Sequence, residues 1–280
     1  MTTANGQPVV VIERIELPQS SLQAIIVTIN RPEKNNCFNT EVAHSLARLF
    51  ADIADNTDED VAAVIFTGNG SSFCAGADLA NPPNALNQSS DLAEDLALNP
   101  VHQMSRIQVP IIGAVRGHVI TGGFELALAC DILVGDWTTR FRDTHVKFGL
   151  APCWGLSQKL QRRIGPGRAR LTSYAARPIG AKQAYDWGLL DDFVQESDRE
   201  SCMQRAVAIA DAIGSQDGKM VQRYKMALEQ GGATSLEKGL QRERQLAFAH
   251  YYKLMGDEST FENAKSFIID EKRPRLQSKL

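Results

Sequence analysis

The apolar positions fall first into short β-branched runs and then, past the middle of the chain, into helical spacing. Residues 9–15 and 24–29 are mostly apolar and β-branched, with a turn-rich break at Pro18-Gln19-Ser20-Ser21, and they predict two strands. A polar loop, 30–36, leads to Asn39 or Thr40 as a helix cap. Val42, Leu46, Leu49, Phe50 and Ile53 then recur at helical spacing. Residues 62–66 predict a third strand and 111–115 a fourth, each long enough for one buried strand. Gly117 and the pair Gly122-Gly123 follow, then helix formers over 124–130 with Glu125 in the first turn, then a strand over 132–134. Strands joined by helices or long loops imply mostly parallel pairing with helices outside, an α/β class.

The remaining pattern is less regular. Residues 72–79 form a second small-residue loop with a helix after it; 81–90 reads as a mobile surface segment and 91–107 as helix. A polar cluster, F-R-D-T-H-V-K-F, precedes a loop at 149–155. Helices are predicted over 156–164, 168–176 and 181–187, and a last short strand over 189–194. From 199 the pattern is helical throughout: 199–214, 217–230, 234–255 and 261–269. The shift near 197 divides the chain into a core, 1–197, and a helical region, 198–280.

Composition narrows the classes. Apolar residues are 43% and charged residues 22%, an ordinary globular balance, and the net charge of −3 offers no basic field for nucleic acid. Five cysteines without a C-x-x-C pair read as reduced thiols of an intracellular protein. M-T-T-A-N-G-Q-P lacks the regions of a signal peptide, and no apolar run approaches the ~20 residues of a membrane span. Ser278-Lys279-Leu280 matches the C-terminal peroxisomal address, so the expected partner is the import receptor and the expected compartment the peroxisome.

Glycines at a helix N-terminus let a negative, or developing negative, group approach free N–H donors. Gly122-Gly123 before Glu125 therefore reads as an anion or oxyanion site, or as a tight packing joint with a dipole-favoured glutamate. The other loop, F-C-A-G-A-D-L, has the same make-up, and G-G-F-E-L-A-L-A-C-D-I follows it by some 45 residues. Together with N-R-P-E-K-N-N-C-F, P-I-I-G-A-V-R-G, F-G-L-A-P-C-W-G-L-S-Q-K-L and G-P-G-R-A-R, in this order, they resemble the crotonase (enoyl-CoA hydratase/isomerase) superfamily. The D-T-H and W-G-L-S-Q-K-L phrasing and the terminal S-K-L look most like its plant-type peroxisomal enoyl-CoA hydratases.

The resemblance implies a spiral of β-β-α turns, a C-terminal helical region that builds homotrimers or homohexamers, and an acyl-CoA thioester substrate. Coenzyme A is then part of the substrate, with no further cofactor and no metal. It implies backbone donors at Ala77 and Gly122 for the thioester oxyanion, and substrate contacts from Asn36, Cys37, Ala75, Gly76, Asp78, Leu79 and Gly123. Glu125 matches the first catalytic glutamate, which activates water. His145 stands where the second would be: it donates a proton, orients water or Glu125, or has no chemical role, and Asp143 two residues earlier supports it if that stretch is extended. Thr121 and Phe124 replace smaller residues and are expected to narrow the acyl pocket. The activity implied is hydration of trans-2-enoyl-CoA in β-oxidation. The alternatives are double-bond isomerisation by Glu125 alone and a non-catalytic CoA-binding scaffold.

Overall fold

The computed structural model describes residues 8–81 and 92–255, and the chain divides into two compact units, 1–222 and 223–280. In the first unit, β1 (Val10–Glu16) pairs antiparallel with β2 (Gln23–Ile29). Next come α1 (Thr40–Asn56), β3 (Val61–Gly68), α2 (Leu92–Ala97), α3 (Pro100–Met104), β4 (Ile111–Val115), β5 (His118–Ile120), α4 (Gly122–Ala127) and β6 (Ile132–Asp136). The chain continues through β7 (Arg140–Arg142), α5 (His145–Phe148), α6 (Leu156–Ile164), α7 (Pro166–Tyr174), β8 (Ile179–Gly180), α8 (Ala181–Asp186), β9 (Asp192–Val194) and α9 (Arg199–Gly214). The helices α10 (Gly218–Gly232) and α11 (Leu236–Met255) follow.

Six strands form one sheet in the order β1-β2-β3-β4-β6-β9, parallel throughout except for the β1–β2 pair. Every residue of β3 is buried, as a strand covered on both faces requires. Val64 and Phe66 share a core with Val42, Leu46 and Phe50 of α1. The alternate residues Ala63 and Ile65 share another with Cys202, Ala206 and Ala210 of α9. Those three small residues recur every four positions, so α9 lies close on the sheet. That packing places α9 in the first unit, beyond the composition boundary at 197. Helix α1 begins at Asn39, whose side chain accepts from the Val42 N–H at 3.0 Å.

Several elements differ from the pattern in the sequence. The helix expected over 91–107 is two short ones, because Pro100 cannot donate to a continuing helix and Asn99 recaps the chain from its Oδ1. The strand expected over 189–194 keeps only β9: Leu189 and Leu190 turn into the core, their N–H groups both donating to the Ala184 carbonyl. A second sheet, β5-β7-β8, appears where the sequence shows only loops, since strands of two or three residues leave no period to read. The segment expected to be mobile falls, apart from Asn81, outside the described residues, as do the helix expected over 261–269 and the tripeptide Ser278-Lys279-Leu280.

Candidate functional site

Three loops meet at the C-terminal ends of β2, β3 and β4. The loop after β3 runs beside β5: Cys74 donates its N–H to the His118 carbonyl and accepts from the Ile120 N–H, both at 3.0 Å. Gly76 turns with φ +95°, and a Cβ on it would lie 3.0 Å from the Ile120 carbonyl oxygen. A Cβ on Gly123 would lie 2.3 Å from the Cys74 carbonyl oxygen, so nothing larger fits between the loops. The loop after β2 closes the third side. Phe38 donates to the Gly76 carbonyl and accepts from the Asp78 N–H, both at 2.9 Å, which leaves Ala77 opposite it. The Phe38 ring also covers Gly122, where a Cβ would come within 2.5 Å of it. Ala77 and Gly122 thus both abut Phe38. Among the described residues neither backbone N–H donates to an acceptor of the chain.

Thr121, at the start of α4, has φ 51° and ψ −109°, a conformation that costs on the order of 1–3 kcal/mol for a residue with a Cβ. Its N–H donates to the Arg142 carbonyl at 2.9 Å, and its hydroxyl pairs with that of Thr144 and accepts the Thr144 N–H. These bonds hold the turn that delivers Gly122 and Glu125.

Glu125 is buried. Its Oε1 accepts the N–H groups of Trp154 at 2.8 Å and Leu156 at 3.2 Å, at the entry to α6. Its Oε2 lies 3.8 Å from Nε2 of His145, too far for a direct hydrogen bond. On the other edge of the ring, Nδ1 is 2.8 Å from Asp143 Oδ1, which also accepts the His145 backbone N–H at 3.0 Å. The Ser173 side chain from α7 also faces Asp143 and favours its anion. The three side chains form a row, Glu125–His145–Asp143. A turn into α5, not an extended stretch, brings Asp143 onto His145. With Asp143 accepting, Nδ1 carries the hydrogen and Nε2 faces Glu125.

Burial pushes the Glu125 carboxyl above its ordinary range; the donors from Leu156 and Trp154 and the nearby His145 only partly oppose it. Burial would also raise Asp143, but hydrogen bonds from the His145 ring, the His145 backbone and Ser173 outweigh it, so that carboxyl lies below its ordinary range. One carboxylate is held as an anion and the other is left easier to protonate.

The other expected contacts divide. Ala75 and Gly76 line the junction of the loops, and Gly123 packs at its base. Leu79 is 73% exposed beside it. Asn36 is fully buried and holds the loops together, donating to the Asn69 and Ser72 carbonyls at 2.8 and 2.6 Å and accepting the Arg31 N–H at 2.9 Å. Cys37 is half-buried with its thiol pushed up by burial; its carbonyl accepts from Arg31. The Asp78 carboxylate is buried against Arg31 at 3.0 Å and accepts the Ala80 N–H, so it serves the loop itself. Phe124 does not narrow a pocket: its ring is fully buried, 5.0 Å from that of Phe141. Arg31 and Trp154, whose ring lies 5.0 Å from that of Phe38, stand inside the quoted motifs and Ser173 outside them, but the role of none is legible in the sequence, because each matters only through a partner distant in the chain.

Comparison with known proteins gives a consistent picture. A family model described as enoyl-CoA hydratase/isomerase matches residues 20–274. A probable peroxisomal enoyl-CoA hydratase 1 of Arabidopsis thaliana is 38% identical over 266 residues, covering 95% of this chain and 97% of the plant protein. The mevalonyl-coenzyme A hydratase sidH of Aspergillus fumigatus is 32% identical, covering 91% and 92%. A crystal structure of enoyl-CoA hydratase from Mycobacterium tuberculosis H37Rv superposes with a TM-score of 0.78 at 26% identity, covering 96% of this chain and 98% of that one.

Proposed function

Because the chain belongs to the enoyl-CoA hydratase/isomerase family, we propose that it is a hydro-lyase adding water to trans-2-enoyl-CoA to give 3-hydroxyacyl-CoA in fatty-acid β-oxidation. The observation that carries this reading is the buried Glu125 carboxylate, fixed through Oε1 by two backbone donors, with Oε2 turned toward His145. A base for water must be held rigidly and kept easier to protonate than a surface carboxylate, and Glu125 meets both conditions.

In the proposed reaction Glu125 Oε2 takes a proton from water as the oxygen bonds to the β-carbon. The electron pair of the double bond moves through the α-carbon onto the thioester oxygen. The N–H groups of Ala77 and Gly122 stabilise that oxyanion; losing one such donor typically costs about 2.7–4 kcal/mol. The oxyanion then collapses as the α-carbon takes a proton, which restores the base. His145, oriented by Asp143, faces Oε2 and supports Glu125 and the water. No cofactor is needed beyond the coenzyme A of the substrate.

Hydration of crotonyl-CoA, followed by loss of the conjugated-enoyl absorbance with a 3-enoyl-CoA run in parallel, tests the reading. Turnover of crotonyl-CoA is the expected result; conversion of the 3-enoyl thioester without hydration would replace it by isomerisation. Neither reaction would leave a CoA-binding scaffold.

The peroxisome is the proposed compartment, with import through Ser278-Lys279-Leu280; the plant relative's peroxisomal name supports this. A homotrimer or homohexamer is the proposed assembly. It is supported by apolar side chains of the second unit that stand exposed on the single chain: Leu228, Leu236, Leu240 and Phe248.

A further inference from the structure

Resting on the hydratase reading, we propose that Arg31 is a positioning residue for the oxyanion pair, its guanidinium clasping the loop that carries Phe38 to the loop that carries Ala77. Nη1 donates to the Cys37 carbonyl at 2.5 Å and Nη2 to Asp78 Oδ2 at 3.0 Å. Those partners are one residue before Phe38 and one residue after Ala77, the two residues that face each other across the loops. The same Phe38 ring covers Gly122. One planar cation therefore fixes the register of a residue that touches both candidate donors.

Both ends of the clasp are removed from water: the Arg31 and Asp78 side chains are only 13% and 6% exposed. The second carboxylate oxygen accepts the Ala80 N–H at 3.1 Å, so Asp78 also holds the chain immediately beyond Ala77. The Arg31 backbone N–H is itself fixed by Asn36, whose amide ties back to the loop after β3. A fork of parallel N–H groups makes this bridge with directional geometry; a lysine ammonium is a shorter point donor and cannot serve both acceptors in the same way. Backbone donors stabilise a developing charge only where they are preorganised, so loosening the clasp displaces Ala77 without removing it.

Two variants and two readouts test this. Arg31→Lys keeps a cation beside Asp78. Arg31→Met combined with Asp78→Asn removes both charges and leaves no buried ion unpaired. For each folded variant, kcat for crotonyl-CoA hydration should fall roughly 10-fold or more, short of the ~10²–10³-fold of a lost oxyanion donor, with KM within about twofold. The second readout is acetoacetyl-CoA, whose α-carbon gives a proton to solvent and places the electron pair on its oxygens as a near-ultraviolet-absorbing enolate. Wild type should raise the enolate share at fixed pH, and both variants should raise it less. A variant that folds and matches wild type in kcat and enolate share would overturn the proposal. So would a loss confined to KM, or a wild type that gives no enolate band. If wild type forms the enolate but fails to hydrate crotonyl-CoA, the hydratase reading falls, and the variants still decide the clasp on the enolate band.

Discussion

Glu125 and Asp143 lie on either side of one imidazole, and the protein moves their acidities in opposite directions. Glu125 rises above its ordinary 4.5, so the folded state holds that proton more tightly than the unfolded chain. Ionised Glu125 therefore subtracts stability above its folded pKa and subtracts nothing below 4.5. Glu125→Gln should raise Tm at neutral pH, and the gain should shrink as pH falls through the raised pKa. Asp143 has the opposite sign: its stabilisation is present above the ordinary aspartate range and is lost as pH falls through its depressed pKa. Asp143→Asn should lower Tm at neutral pH, with the deficit fading in acid. Melting curves of both variants across pH check the pair; a Glu125→Gln protein less stable than wild type at neutral pH would contradict the burial argument. In activity, Glu125→Gln should lower kcat at least ~10²-fold with KM little changed. His145→Ala should lose less, since its ring stops 3.8 Å short of Glu125 and works through it. Near-wild-type hydration by Glu125→Gln would remove the assignment whatever His145 does.

The elements matter here for how closely their ends approach. The loop after β3 and the turn from β5 into α4 meet with only glycine between them, which is why the site's donors are backbone groups on small residues. Gly123→Ala would set a Cβ against the Cys74 carbonyl at 2.3 Å; such overpacking costs about 1–3 kcal/mol, read as a fall in Tm. Gly167, inside α7, is the control: a Cβ there meets nothing within 4 Å, so Gly167→Ala should be neutral or gain up to about 1 kcal/mol. A Gly123→Ala protein melting with wild type would mean that the two loops are not packed as described. The strands and helices of the main sheet are legible from apolar period alone, and α6 and α9 match their expected ranges. The small sheet β5-β7-β8 is not, because two or three residues are fixed by partners from elsewhere in the chain and not by their own composition.

For the whole molecule, the helical region has to be cut in the right place. Removing everything from residue 200 would strip α9 from Ala63 and Ile65 and expose a sheet face, so that protein should aggregate. A chain ending at Gln222 keeps that face covered. It should remain folded by circular dichroism and lose the mass of the full-length assembly in light scattering. Retention of the full-length mass would show that residues 223–280 are not needed for self-association. Removing Ser278-Lys279-Leu280 should redirect a fluorescent fusion to the cytosol with hydration unchanged, since an address is read by a receptor and does not hold the fold. Peroxisomal labelling by the shortened fusion would exclude the tripeptide as the signal.

The α/β class, the places of the main strands along the chain and the helices over 199–255 are legible in the amino-acid order, because apolar period and glycine position act locally. The sequence motifs also mark Ala77, Gly122 and Glu125 as candidate site residues. That Asn36 and Asp78 hold loops together, that Phe124 faces the core and that α9 belongs with the sheet follow from the packing of the folded chain. It alone set His145 between two carboxylates and brought Arg31 across 47 residues to Asp78. The physical reason is the same in each case. A buried polar side chain takes its role from the partner that replaces water, and that partner is chosen by the packing of distant segments.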